Sequence, residues 1–359
     1  MARNSRPKQQ RIDPSKTPVK GAVREPVKQS SQARVAETAT YEKKKPAATR
    51  KRKGGRPGGR SPVPVVHKAT LGDWIAGARI RTLTLAIAPV ALGTATAHAA
   101  GGFQDWHWVR ALLCLAVALC LQIGVNFAND YSDGIRGTDD LRVGPSRLTG
   151  SGAAKPRTVL VVALSFFAIA ALAGVAVVVL SGQYWLLAVG AACILAAWFY
   201  TGGKHPYGYY GLGEVFVFVF FGLVATAATM YVQVGTVSLD AWLAGAAAGL
   251  LACAVLMANN LRDFEQDALA HKRTLSVLVG RRTSRILFTV FALAPFVILF
   301  PFTLLYLNAY YVYFCLLLVV PAVVIVVMGK TAAEYLIALK LTSLAALLFG
   351  IGLALTIAL

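Results

Sequence analysis

A chain of 359 residues that is 57% hydrophobic and 14% charged, with a mean hydropathy of +0.59, has the balance of a polytopic membrane protein rather than a soluble domain. Its net charge of +20 is concentrated, because residues 1–68 carry 19 Lys/Arg against 4 Asp/Glu. The basic excess therefore belongs to a tail and is no evidence of a nucleic-acid-binding domain, so no nucleic-acid partner is expected.

Residues 1–68 are rich in Lys, Arg, Pro, Ser, Gly and Ala, with one aromatic residue, Tyr41. Such a segment buries too little apolar area to offset its ordering entropy and is expected to be disordered. Its "RKRKGGRPGGR" run (50–60) suits anionic lipid headgroups. "LGDWIAGARIRTL" (71–83) then reads as a short amphipathic helix at the membrane surface.

Nine apolar segments long enough to cross a bilayer follow, near 81–100, 109–130, 158–180, 184–201, 213–233, 240–261, 286–306, 309–328 and 338–358. The expected architecture is thus an all-α, nine-helix membrane domain over 69–359. Cys114, Cys120, Cys193, Cys253 and Cys315 lie inside apolar runs without metal-ligand spacing and read as packing residues. Long basic loops alternate with short, nearly uncharged ones. Arg136, Arg147, Lys204, Lys272, Arg281 and the tail share one side, whereas the other has only Arg110. The positive-inside rule makes that first side cytoplasmic, with the C-terminus outside.

Acidic residues gather on the same side, which topology alone does not require. "NFANDYSDG" (126–134) and "NNLRDFEQD" (259–267) end two of the spans. If the first helix continues one turn past 130, Asn126, Asp130 and Asp133 project within about 60° of one another. Asn259, Asp263 and Asp267 lie at i, i+4 and i+8, within about 80°. Two such sets of oxygen ligands suit Mg²⁺, which takes one or two carboxylates together with substrate phosphate oxygens. Arg147, Lys204, Lys272 and Arg273 lie at the same face, and cations beside a metal-binding carboxylate cluster suit a diphosphate group. Arg262 adjoins Asp263 but points about 100° away on an ideal helix, so it is left out of the cluster. Glu214, near the same face, is expected to pair with a base.

The patterns N-x-x-x-D-x-x-D at 126–133, Y-x-x-x-K at 200–204 and N-x-x-x-D-x-x-x-D at 259–267 resemble the UbiA superfamily of intramembrane prenyltransferases. Within it, "GPSRL", "YTGGKHPYGYYGLGE" and "NNLRDFEQDALAHKRTLSVLVG" are similar to the 1,4-dihydroxy-2-naphthoate polyprenyltransferases of menaquinone synthesis. The likeness covers roughly 72–359. It implies a helical bundle around a central cavity that opens sideways to lipid and takes a polyprenyl diphosphate and an aromatic acceptor. It also implies attack at the carboxyl-bearing ring carbon with loss of CO₂. Tyr200 would orient the diphosphate or stabilise an allylic cation. Some members space the first acidic motif differently, so Asp139 and Asp140 stand beside Asp133 as candidate ligands. The competing readings are another aromatic acceptor, a CDP-alcohol phosphotransferase, whose single acidic run is absent, and a secondary transporter, which would place charges at mid-membrane.

Overall fold

The computed structural model describes residues 68–101, 107–138 and 147–359. The expected disorder of the tail, and Asp139 and Asp140, lie outside them. Every regular element among the described residues is helical. A surface helix α1 (Leu71–Gly77) begins at a capping box in which Thr70 and Asp73 satisfy each other's backbone N–H groups. Arg79, at φ 53°, then turns the chain into α2 (Ile80–Gly101). α1 is held to the bundle by Trp74, whose ring lies 5.8 Å from that of Phe127.

The further helices are α3 (Trp108–Arg136), α4 (Pro156–Ser181), α5 (Leu186–Phe199), α6 (Gly213–Val234) and α7 (Leu239–Arg262). After a short α8 (Phe264–Leu269) come α9 (Leu275–Leu305), α10 (Ala309–Met328) and α11 (Ala332–Ala358). Eight of these are long and apolar enough to span a membrane, and α5, at 14 residues, is a shorter apolar helix in the place of the ninth expected span. The chain is a multi-pass membrane protein.

Two boundaries matter for the site. α3 does not stop at 130 but continues to Arg136, ended by Gly137 in the left-handed conformation (φ 72°), so Asp130 and Asp133 belong to one helix. α7 stops at Arg262. Asp263 is its C-cap, and the hydrogen bonds Asp263 N–H to Asn259 and Asp267 N–H to Asp263 carry the i, i+4 pattern into α8. α9 starts eleven residues before the expected span, with a break at Gly280 (φ 80°, ψ 162°).

The helices approach closely where small residues meet, as expected when neighbouring lipid offers no hydrophobic incentive to associate. A Cβ added to Gly222 of α6 would lie 2.6 Å from the Gly245 carbonyl oxygen of α7 and 2.6 Å from the Cα of Gly249. Phe218–Val224, around this contact, forms a π-helical segment within α6. Its residues Phe220, Phe221 and Val224 face a central cavity.

Candidate active site

That cavity has a volume of about 980 Å³ and is lined mainly by apolar side chains of α2 to α7. At its polar end lie Asn126, Asn129, Asp130, Arg147, Tyr200, Asn259 and Arg262. Its lining continues along α3 to Cys114, a rise of roughly 24 Å, most of a hydrocarbon core. The cavity thus offers an apolar channel with its polar chemistry at one mouth.

Around the mouth, the two acidic motifs meet. Asp133, buried to 2% exposure, accepts hydrogen bonds from the Tyr209 hydroxyl (2.7 Å) and the Arg147 guanidinium (2.8 Å). The Lys272 ammonium lies 3.7 Å from the same Asp133 carboxylate and 3.9 Å from that of Asp267. Asp133 and Asp267, 134 positions apart in sequence, therefore share one cation. Thr274 also faces Asp267, at 3.5 Å.

Other members of the sets are held differently. Both carboxylate oxygens of Asp130 accept backbone N–H groups, from Leu148 at 2.9 Å and Thr149 at 2.8 Å. Asp130 thereby pins the loop that delivers Arg147, whose guanidinium also donates to the Asn129 carbonyl (3.1 Å). Asn126 donates its amide to the Ala78 carbonyl (2.9 Å) and to Thr82 (3.3 Å), which fixes the α1–α2 turn against α3. Asp263 is gripped bidentately by Arg262, at 2.8 and 2.6 Å, and the same guanidinium donates to the Asn259 side-chain oxygen at 2.8 Å.

Arg262 therefore corrects the sequence expectation. The 100° offset holds for Cβ directions, but α7 ends at this residue and a long side chain curls back onto Asp263. Glu214 also departs from it. Buried to 4% exposure, it accepts from the Asn260 amide (3.0 Å) and not from a base, because no Lys or Arg side chain reaches it among the described residues. Lys204 and Arg273 have exposed side chains without a hydrogen bond or ion pair to any described residue; Arg273 contributes its backbone N–H to the Tyr209 carbonyl (3.1 Å). Among the described residues, the cations brought to these acids are Arg147, Lys272 and Arg262.

Tyr209 and Asn129 carried no spacing signal. Tyr209 sits in a run of tyrosines and glycines, and Asn129 is one position off the Asn126–Asp130–Asp133 face. Both are placed by the 200–209 loop. Thr201 donates to the Asn129 side-chain oxygen (2.6 Å), and Arg136 binds the Thr201 and Gly203 carbonyls while lying 5.4 Å over the Tyr209 ring. Burial, and then the Asp133 charge, push the Tyr209 phenol above its ordinary value, which keeps it a neutral donor.

Residues 86–335 match the UbiA prenyltransferase family, well over half of the chain. The chain belongs to that family. Its relatives include the 1,4-dihydroxy-2-naphthoate octaprenyltransferase of Mycobacterium tuberculosis, 54% identical over 223 residues, which are 61% of this chain and 74% of the relative. The Escherichia coli protein of the same description is 39% identical over 218 residues, 59% and 70% of the two chains. Among solved structures, a UbiA homolog from Archaeoglobus fulgidus bound to GPP and Mg²⁺ shares the fold, with a TM-score of 0.56 at 14% identity, covering 79% of this chain and 99% of that one. This UbiA-family member is an aromatic prenyltransferase, which sets aside the phosphotransferase and transporter readings.

Proposed function

We propose that the enzyme transfers a polyprenyl group from polyprenyl diphosphate to 1,4-dihydroxy-2-naphthoate, releasing diphosphate and CO₂ and forming the demethylmenaquinone skeleton. The observation that carries this reading is the shared Lys272 contact, which joins Asp133 and Asp267, beside Arg147, which bonds Asp133 and lines the polar end of the apolar cavity. The identity to naphthoate octaprenyltransferases supports the choice of acceptor.

The donor set at the mouth is all oxygen, carboxylate and carboxamide, and two of its carboxylates already converge on one positive charge. That chemistry fits Mg²⁺. Asn126, Asp130 and Asp133 would hold one Mg²⁺, and Asp263 and Asp267 with Asn259 another. Bound there, the metal supplies neutralisation of the diphosphate charge.

The chain's own groups do the rest. The apolar channel takes the prenyl tail and keeps the head at the mouth. Arg147 and Lys272 face the departing diphosphate, with Lys204 and Arg273 as further contacts from the loop rims. As the allylic carbon–oxygen bond breaks, the dry wall protects the carbocation from water, and the Tyr200 ring offers it a π face. The carboxyl-bearing ring carbon forms the new bond, and its carboxylate leaves as CO₂. We assign this mouth to the cytoplasmic side of the cell membrane, with the C-terminus outside, from the placement of the basic loops.

The test is turnover by the full chain in lipid nanodiscs with a polyprenyl diphosphate, Mg²⁺ and 1,4-dihydroxy-2-naphthoate. Prenylated, decarboxylated naphthoquinol and one diphosphate per product are expected. Prenyl transfer to another aromatic acid, such as a hydroxybenzoate, with none to the naphthoate would overturn the acceptor.

A further inference from the structure

We propose that Arg262 is a resident counter-ion that a divalent metal displaces, and that the displaced guanidinium then binds the diphosphate. The inference rests on the reading of Asp263 and Asn259 as metal ligands given above. In the structure one guanidinium covers both Asp263 oxygens (2.8 and 2.6 Å) and the Asn259 side-chain oxygen (2.8 Å). Both side chains of the ion pair are buried to 8% exposure.

A carboxylate buried this deeply needs a positive partner at all times, since an unpaired buried charge is strongly disfavoured. Arg262 is one such partner when no metal is bound. It stands at the C-terminus of α7, where the helix dipole favours a cation. The three oxygens it holds are those a metal would take, and a dication and a guanidinium cannot share them at contact distance. The two occupants therefore exclude one another. Arg262 itself lines the cavity whereas Asp263 does not, so a guanidinium released from Asp263 remains at the mouth. There its planar fork matches a diphosphate oxygen pair.

The experiment measures Mn²⁺ binding by electron paramagnetic resonance to the full chain in detergent, for wild type, Arg262→Met, Arg262→Lys and Asp263→Asn. Removing the competitor should tighten Mn²⁺ binding in Arg262→Met by about tenfold or more, the scale of a charge-assisted contact to a buried carboxylate. Binding of inorganic diphosphate to the Mn²⁺-loaded variant should weaken. If Arg262→Met fails to fold, Arg262→Lys, which loses the fork but not the charge, should show a smaller tightening in the same direction. Unchanged or weaker Mn²⁺ affinity in the folded variant overturns the exchange, and unchanged diphosphate affinity overturns the second role of the guanidinium. Asp263→Asn separates the two levels. If it binds Mn²⁺ like wild type, the metal reading of Asp263 fails. If it loses Mn²⁺ while the Arg262 variants do not tighten, only the exchange fails.

Discussion

Asp130 is held by the backbone it faces, so loss of its charge should destabilise the fold itself. Asp130→Asn keeps the shape of the side chain and one acceptor oxygen. Its new amide must face either the Leu148 or the Thr149 N–H, which now bond the carboxylate at 2.9 and 2.8 Å. One charge-assisted bond is lost and one buried N–H is left opposite a donor, a cost of about 2–4 kcal/mol. Thermal unfolding of detergent-solubilised protein in EDTA, followed by tryptophan fluorescence, isolates this effect from any metal. Asp130→Asn should unfold clearly below wild type. Equal midpoints for Asp130→Asn and wild type would refute a loop-pinning role for Asp130.

Further expectations rest on separate contacts. Lys272→Ala removes the cation shared by Asp133 and Asp267 and should lower diphosphate release at least about tenfold more than Arg273→Ala, whose side chain is exposed. Tyr209→Phe deletes the 2.7 Å bond to Asp133 and should destabilise the metal-free protein by about 1 kcal/mol, read by the same unfolding assay. Because the Tyr209 phenol is raised, folded and unfolded forms are both protonated below the ordinary tyrosine value of about 10. Any stability linked to its own titration is therefore fully present there and falls only at higher pH, so wild-type and Tyr209→Phe midpoints should run parallel from about pH 6, above the carboxylate range, to about pH 10. Gly222→Leu should abolish a monodisperse size-exclusion peak, because even a Cβ there sits 2.6 Å from the α7 backbone, whereas Gly190→Leu, with nothing within 4 Å of the added Cβ, should fold.

The spans were legible because lipid demands long apolar helices, and helical continuity past 130 put Asn126, Asp130 and Asp133 on a single helix. Periodicity fails where helices end. Arg262 was misaimed because the rule follows Cβ directions and says nothing of a guanidinium at a helix terminus folding back on its neighbour. The start of α9 at Leu275 was hidden by the break at Gly280 and the polar run Arg281–Arg285 that follows it. Tyr209 and the pinning of Leu148 and Thr149 by Asp130 depend on loops folding over α3, contacts between residues far apart in sequence that local pattern does not encode. Charge alone likewise could not separate Lys272, which reaches the acids, from Lys204 and Arg273, whose side chains are exposed.

The central claim is that Asp133 and Asp267 serve one site, and a double-mutant cycle on prenyl transfer with Mg²⁺ tests it most directly. Asp133→Asn and Asp267→Asn should each lose at least about 100-fold, and the double variant no more than the worse single. Losses that multiply in the double variant, or a single variant near wild-type turnover, would contradict it.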